Sequence, residues 1–266
     1  KPMVELLLAH GADIHKTDNQ GRSPIYKAAE QGGLEVAQLL VEKGADITRA
    51  NNYGFTPLHV AVLKNDFETV EFLIEQGADV NTTNYEDQTP LDTAVEEAED
   101  KRDLPLIGLL VSQGADINRA DAKGWTPLIR AVTKDLIRAV MKDHGWMVKF
   151  LVSQGADINR ADAMGRTPLQ YAVLKDDVPM VKLLLSLGAD ITLRNPSGEM
   201  ALDLARGDEI RALLRSQTQA MALQEMENAP ARPNQTTLHE VPKELKQHIA
   251  SYLGGRGRRP GRTHKN

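Results

Sequence analysis

Seven histidines (His10, His15, His59, His144, His239, His248 and His264) are the side chains of this 266-residue chain best suited to acid–base or metal chemistry. None is spaced to form a His-x3-His pair, and none sits in a histidine–carboxylate motif, so neither a helical zinc pair nor a catalytic dyad is written here. Cysteine is absent, which removes disulfides, thiolate metal sites and cysteine nucleophiles together. The recurrent glycines are all explained by turns and helix ends, leaving no phosphate-cradling loop. No catalytic residue, cofactor or metal is therefore expected, the chain is not expected to be an enzyme, and His59 reads as a structural residue beside Thr56. The side chains that do recur with chemical meaning suit recognition: Tyr53 and Phe55, then Tyr85, Glu86 and Gln88, then Lys123 and Trp125, then Met164 and Arg166. Aromatic residues make up only 4% of the chain, so Tyr53, Phe55, Tyr85 and Trp125 at related places stand out as anchors that bury much area for little rotamer entropy.

The elements that must position them follow from a repeat. Gly-Ala-Asp begins at Gly11, Gly44, Gly77, Gly114, Gly155 and Gly188, in steps of 33, 33, 37, 41 and 33 residues. A Ser/Thr-Pro pair accompanies each step, at Ser23, Thr56, Thr89, Thr126 and Thr167. One supersecondary block copied along the chain means a solenoid, in which a stack of small interfaces replaces a central core.

The segment from Asp162 to Arg194 shows how one block folds. Asp162-Ala163-Met164-Gly165 suits a tight turn, Thr167 an N-cap, Pro168 the first helical position, and Gln170 the return half of a capping box. Leu169, Ala172 and Val173 share one face of this short inner helix. After a turn at Asp176 and Asp177, Met180, Val181, Leu183, Leu184 and Leu185 give a more apolar outer helix, stopped by Gly188 in a left-handed conformation. The unit is helix, turn, helix, then an extended hairpin, and the fold class is all-α.

This pattern resembles the ankyrin repeat. Its core Gly-x-Thr-Pro-Leu-His-x-Ala-Ala stands here as Gly54-Phe55-Thr56-Pro57-Leu58-His59-Val60-Ala61-Val62, and its Leu-Leu-x-x-Gly-Ala-Asp ending as Leu39 to Asp46. The resemblance covers residues 1–215: a half repeat at 1–17, full repeats at 18–50, 51–83, 84–120, 121–161 and 162–194, and a cap at 195–215. In the cap Met200-Ala201 replaces Thr-Pro, while Glu209, Arg211 and Arg215 replace the outer apolar run. Met3, Val4, Leu6 and Leu7 lack such a polar cover, so at least one upstream repeat is expected. What the resemblance implies is a concave surface of hairpin tips and inner helices that binds a target protein, with the tip residues named above as the groove. It further implies that Asn81, Asn118 and Asn159 match the hairpin asparagine modified in this family by an asparaginyl hydroxylase.

Two repeats are irregular. Residues 128–135 and 136–143 are a direct duplication with one difference. Eight residues turn a helix by about 80° beyond two full turns, so only one copy can fill the inner-helix slot. A protruding helix or looped-out copy is expected, with a weak point at Thr133 to Asp143. The third repeat adds four residues within the charged run Glu96 to Asp103, read as solvated surface or as an acidic contact patch. Leu110 to Ala122 is identical to Leu151 to Ala163, which suggests growth by copying units.

Beyond Arg215 the pattern stops. Residues 216–237 read as a linker, with some helix near Met221 to Met226, residues 238–253 as an amphipathic helix, and residues 254–266 as a disordered basic tail. Val241 to Leu253 resembles the opening helix of an F-box and the shortened F-box-like (PRANC) module that closes poxvirus-type ankyrin proteins. That resemblance implies docking of Pro242, Leu245, Ile249 and Leu253 on the Skp1 adaptor of a cullin ubiquitin ligase. A plain amphipathic helix folding back on the final repeat explains the same spacing. Net charge is -5, and the tail carries five basic residues and no acid, so the remainder sums to -10 and argues against nucleic acid as the main ligand. The expectation is a monomeric adaptor without membrane association, cytoplasmic, in a host cytosol or nucleus if the source is viral or bacterial; the alternative is a scaffold or inhibitor that masks a partner.

Overall fold

Thirteen α-helices and one 3₁₀ turn make up the described residues, 1–134 and 145–228, of the computed structural model, and no strand occurs among them. The inner helices are α2 (Pro24–Glu30), α4 (Pro57–Leu63), α6 (Pro90–Glu97), α8 (Pro127–Thr133), α10 (Pro168–Leu174) and α12 (Ala201–Leu204). The outer helices are α1 (Pro2–Ala9), α3 (Leu34–Glu42), α5 (Phe67–Glu75), α7 (Leu104–Ser112), α9 (Trp146–Ser153), α11 (Val178–Ser186) and α13 (Asp208–Asn228). The chain divides into a unit at Lys1–Ala212 that holds the repeats and a second at Leu213–Asn266, of which the described part is helical.

Each inner helix starts where the sequence places it. Ser23, Thr56, Thr89, Thr126 and Thr167 all N-cap with the side-chain oxygen accepting from the backbone N–H three residues on, followed by proline. Full capping boxes form with His59, Asp92 and Gln170 as the returning side chains. These helices are short and surrounded, so their stability comes from burial more than from propensity. Leu58, Leu91, Leu128 and Leu169 are fully buried, and Ala29, Ala61 and Ala172 let neighbouring helices approach closely. Outer helices bury one stripe, for example Met180, Val181 and Leu184 of α11, and Gly188 follows at φ 92° as expected.

At the first repeat, Ile25, Ala28, Ala37 and Leu40 form a core against which Val4 and Leu8 of α1 pack. Met3, Leu6 and Leu7 on the same helix are exposed. At the other end α12 is reduced to four residues, Ile210 is buried and Glu209 is exposed, the amphipathic pattern of a covering helix.

Two departures from the sequence reading, at the hairpins and at α13, stand beside one expectation that is met, that a single copy of the duplication fills the inner-helix slot. The hairpin of each unit forms as a hydrogen-bonded turn without strand pairing. The first copy of the duplication fills the inner slot as α8, with Leu128 and Ile129 fully buried, while the second copy lies outside the described residues. Helix α13 runs on through Ser216 to Asn228, into the segment read as linker. The cause is composition: from Ser216 the chain is rich in Ala, Gln, Leu, Met and Glu, all strong helix formers, and meets its first proline at Pro230. The F-box-like segment 238–253, with Pro242, Leu245, Ile249 and Leu253, and the basic tail lie outside the described residues.

Candidate target-binding face

Every tip is built on one Asx residue. Asp18, Asn51, Asn84, Asp121, Asp162 and Asn195 each accept backbone N–H bonds with Oδ1, as when Asn51 receives Tyr53 N at 2.9 Å and Phe55 N at 3.0 Å. Such a clamp fixes the turn from its own side chain. Successive tips are then joined through backbone bonds: Asn52 N to Gln20 O at 2.9 Å, Tyr85 N to Tyr53 O at 3.1 Å, Ala122 N to Glu86 O at 3.2 Å and Ala163 N to Lys123 O at 3.3 Å. Glycine is demanded by this joint at Gly54, since its φ is 83° and an added Cβ would lie 2.6 Å from Tyr85 N. The tips therefore form one hydrogen-bonded row.

That row carries three large apolar side chains into solvent: Tyr53 is 63% exposed, Tyr85 77% and Met164 59%. Glu86 and Lys123 beside them are exposed too. Phe55, Gln88, Trp125 and Arg166 are half-buried. Phe55 meets the His59 ring edge-on at 5.4 Å, and Trp125 meets Tyr171 edge-on at 6.1 Å, with the Lys123 ammonium 6.0 Å from the Trp125 centroid. The four aromatics that the sequence groups as tip anchors thus divide into two exposed ones and two that floor the row, because Phe55 and Trp125 directly precede the N-cap threonine and lean on the inner helices.

Below the tips, the third residue after four of the five N-caps, Tyr26, His59, Asp92 and Gln170 but not the apolar Ile129, makes a polar tie from one repeat to the next. His59 Nδ1 accepts from Thr56 N at 3.2 Å and its Nε2 donates to Gln88 O at 3.2 Å. Complete burial holds its pKa down to about 4, only partly opposed by the bond to Gln88 O, so the ring is neutral and structural. Gln170 repeats the arrangement with Leu193 O and Glu199 O at 3.0 and 3.3 Å. Asp92 cannot, because a carboxylate only accepts. Arg130, buried on α8 of the following repeat, donates instead: Nε to Asp92 Oδ1 at 3.2 Å, Nη1 to Glu96 Oε2 at 2.9 Å, and Nη2 to Asp121 Oδ2. Burial is the main influence on the Asp92 carboxyl and raises its pKa, against the bonds from Thr89 and the charge of Arg130.

On the far side of the units, Asn81 and Asn118 donate Nδ2 to Gly114 O and Gly155 O at 2.9 and 3.1 Å, while their Oδ1 atoms accept from Asp116 N and Asp157 N at 2.7 Å. Asn159 Oδ1 accepts from Asp190 N at 2.8 Å. These asparagines are structural joints between repeats.

Sequence reasoning passed over Arg130 and Leu63, and read Glu97 only as part of the charged run Glu96 to Asp103. Leu63 is 40% exposed at the end of α4. Glu97 stands where Lys64, Lys134 and Lys175 stand in other repeats, eight residues after the capping threonine, and that change of sign in register was the available signal. Among the described residues no group of three or more histidines, aspartates or glutamates could hold a metal ion, and no helix is long and apolar enough to cross a membrane. The arrangement is one of hydrogen-bonded tips and apolar anchors, suited to protein–protein contact.

Comparison with known proteins agrees. No curated protein sequence matches the chain. Among solved structures, the ankyrin repeat domain of Bcl-3, described as a unique member of the IkappaB protein family, is 28% identical with a TM-score of 0.68, over 80% of this chain and 91% of that one. The human ASB11 ankyrin repeat domain is 25% identical with a TM-score of 0.64, over 80% of this chain and 90% of that one. A family model of three ankyrin repeats matches residues 1–84 and 96–195. With the Thr-Pro caps, paired helices and joined tips already described, this match shows that the chain belongs to the ankyrin repeat family.

Proposed function

We propose that the chain is a non-catalytic adaptor that holds a target protein on the row of tips and the inner helices behind it. The observation that carries this reading is the exposure of Tyr53, Tyr85 and Met164 on tips that are hydrogen-bonded into a row, since large apolar side chains on a rigid support are good hot-spot candidates. Glu86, Gln88, Lys123 and Arg166 supply the polar surround, and Phe55 and Trp125 the floor.

The second half of the proposal is recruitment of a cullin ubiquitin ligase through the Skp1 adaptor. Its support is the pattern of Pro242, Leu245, Ile249 and Leu253 in the sequence alone. Action in the cytoplasm belongs to the same proposal. A scaffold or inhibitor that masks its partner without a ligase is the second reading, and the observation in its favour is that the family match ends at residue 195, so that everything matched is repeat.

The test is capture from a eukaryotic lysate with the intact chain, with a Tyr53→Ala, Tyr85→Ala variant, and with a Leu245→Asp, Ile249→Asp variant, followed by blotting for Skp1. Loss of the target from the tip variant and loss of Skp1 alone from the helix variant are expected. A target retained by the tip variant overturns the tip face, and absence of Skp1 from every sample leaves the scaffold reading.

A further inference from the structure

The arginine just before the N-cap is held differently in the first and fifth repeats. In the first, Arg22 is neutralised from two sides, Nε donating to Asp18 Oδ2 at 2.7 Å and Nη1 to Glu30 Oε1 at 3.2 Å. Arg166 stands at the same register position of the fifth repeat, with Asp162 in the place of Asp18. There, however, the Tyr171 hydroxyl donates to Asp162 Oδ2 at 2.5 Å, and Leu174 stands where Glu30 does. Both anions that hold Arg22 are thus withheld from Arg166. Among the described residues Arg166 forms no ion pair, and neither does Lys123 on the adjoining tip.

These two cations flank one aromatic pair. Lys123 Nζ lies 6.0 Å from the Trp125 centroid, and Trp125 meets Tyr171 edge-on at 6.1 Å. Burial and the Asp162 carboxylate raise the Tyr171 pKa, while Trp125 and Arg166 lie near enough to the hydroxyl to oppose them. The bond from Ala163 N to Lys123 O at 3.3 Å fixes the two tips side by side. Trp125, Arg166 and Tyr171 are half-buried and Lys123 is exposed. A carboxylate brought here meets a point charge, a planar fork of donors and an aromatic floor that lowers the local dielectric and strengthens both contacts. A long polyanion is a poor fit, because the preceding tip presents exposed Glu86 and Asp87 and the chain without its basic tail is strongly acidic.

We propose that the tips of the fourth and fifth repeats form an acid-receiving subsite, in which the carboxylate of a partner's glutamate or aspartate sits between Lys123 and Arg166 over Trp125. Tyr171 is the positioning residue that keeps Arg166 free by occupying Asp162. The proposal deepens the adaptor reading by naming one feature of the partner, and it rests on that reading for the partner's being a protein.

The experiment is a titration of the full-length ¹⁵N-labelled chain with acetyl-Leu-Glu-Glu-Leu-amide, with the Gln-Gln peptide as the uncharged control. Saturable shifts of the Trp125 indole N–H and the Arg166 Nε–H are expected with the acidic peptide alone, at a Kd on the order of 1 mM for so small a ligand. Lys123→Gln and Arg166→Gln should each weaken binding roughly twofold to fivefold, the range of a single partly exposed ion pair. Tyr171→Phe should weaken it as much as Arg166→Gln, since Asp162 then captures the guanidinium as Asp18 captures Arg22. Adding Asp162→Asn should restore the affinity, because asparagine keeps the turn, as at Asn51, and takes away the competing charge. Equal shifts from the Gln-Gln peptide, tighter binding of a short oligothymidylate, native affinity in Tyr171→Phe, or no recovery with Asp162→Asn would each overturn the subsite. Because the titration uses no target protein, its failure leaves the apolar tip face standing. Target capture that ignores Tyr53 and Tyr85 would remove that face and leave the titration result as it is.

Discussion

Two neighbouring repeat boundaries bury the same inner-helix position and satisfy it by opposite means. After α4, a neutral His59 donates to the next tip's carbonyl and accepts from its own N-cap. After α6, an acceptor-only Asp92 has to be met by a donor from the next repeat, and Arg130 meets Asp92, Asp121 and Glu96 together. The first boundary is closed by one uncharged side chain; the second depends on four charges agreeing, with Arg130, Asp92 and Asp121 buried and Glu96 exposed. A single change at one register position thus transfers the burden of satisfaction to the neighbouring unit.

The largest expected effect comes from breaking the charged boundary. Arg130→Met should lose about 3–5 kcal/mol in denaturant unfolding, because Asp92 and Asp121 stay buried without their cation. Adding Asp92→Gln and Asp121→Asn, the residues that Gln170 and Asn51 show to work at those positions, should recover most of the loss. If it does not, the boundary depends on packing and the comparison fails.

The histidine boundary sharpens the contrast through pH. His59 is neutral in the folded chain down to about pH 4, whereas an unfolded histidine titrates near 6.5. Above pH 6.5 both states are neutral and nothing is lost. Between 6.5 and 4 only the unfolded state gains the proton, so stability falls by about 3 kcal/mol in total. His59→Gln, copying Gln170, should flatten that part of a Tm-versus-pH curve. An unchanged slope would place the titrating group elsewhere.

The smallest effect concerns the tip between the two boundaries. Asp87 has φ 59° where other tips carry glycine, as at Gly54 and Gly124. Asp87→Gly should relieve the left-handed conformation and stabilise the chain by about 0.5 kcal/mol, visible as a small rise in Tm.

Much of this was legible in the sequence where the determining residues lie within a few positions of each other. Thr167, Pro168 and Gln170 announce the cap, start and capping box of α10, and all three form. The direct repeat at 128–143 announces that one copy is surplus, and α8 shows that the first fills the slot. What the sequence hid are relations across a repeat. Arg130 and Asp92 are 38 residues apart, and no local pattern couples them. Phe55 and Trp125 share the tips with Tyr53 and Tyr85 in sequence, and only packing against His59 and Tyr171 separates floor from anchor. The extension of α13 past Arg215 was masked by the absence of an apolar stripe, although composition alone favoured helix.

The polar ties between inner helices make the repeats an ordered series. Tyr26, His59, Asp92, Ile129 and Gln170 occupy one register position with five different chemistries, and all but the apolar Ile129 hydrogen-bond to a particular group of the unit that follows. Excising residues 84–120 would set Arg130 against His59 with no carboxylate from the lost α6, while the Leu110–Ala122 and Leu151–Ala163 segments, being identical, could trade places at no cost. Recombination within this array is therefore permissive at outer helices and turns and restrictive at inner helices, so that the order of its units is inherited as strictly as their number.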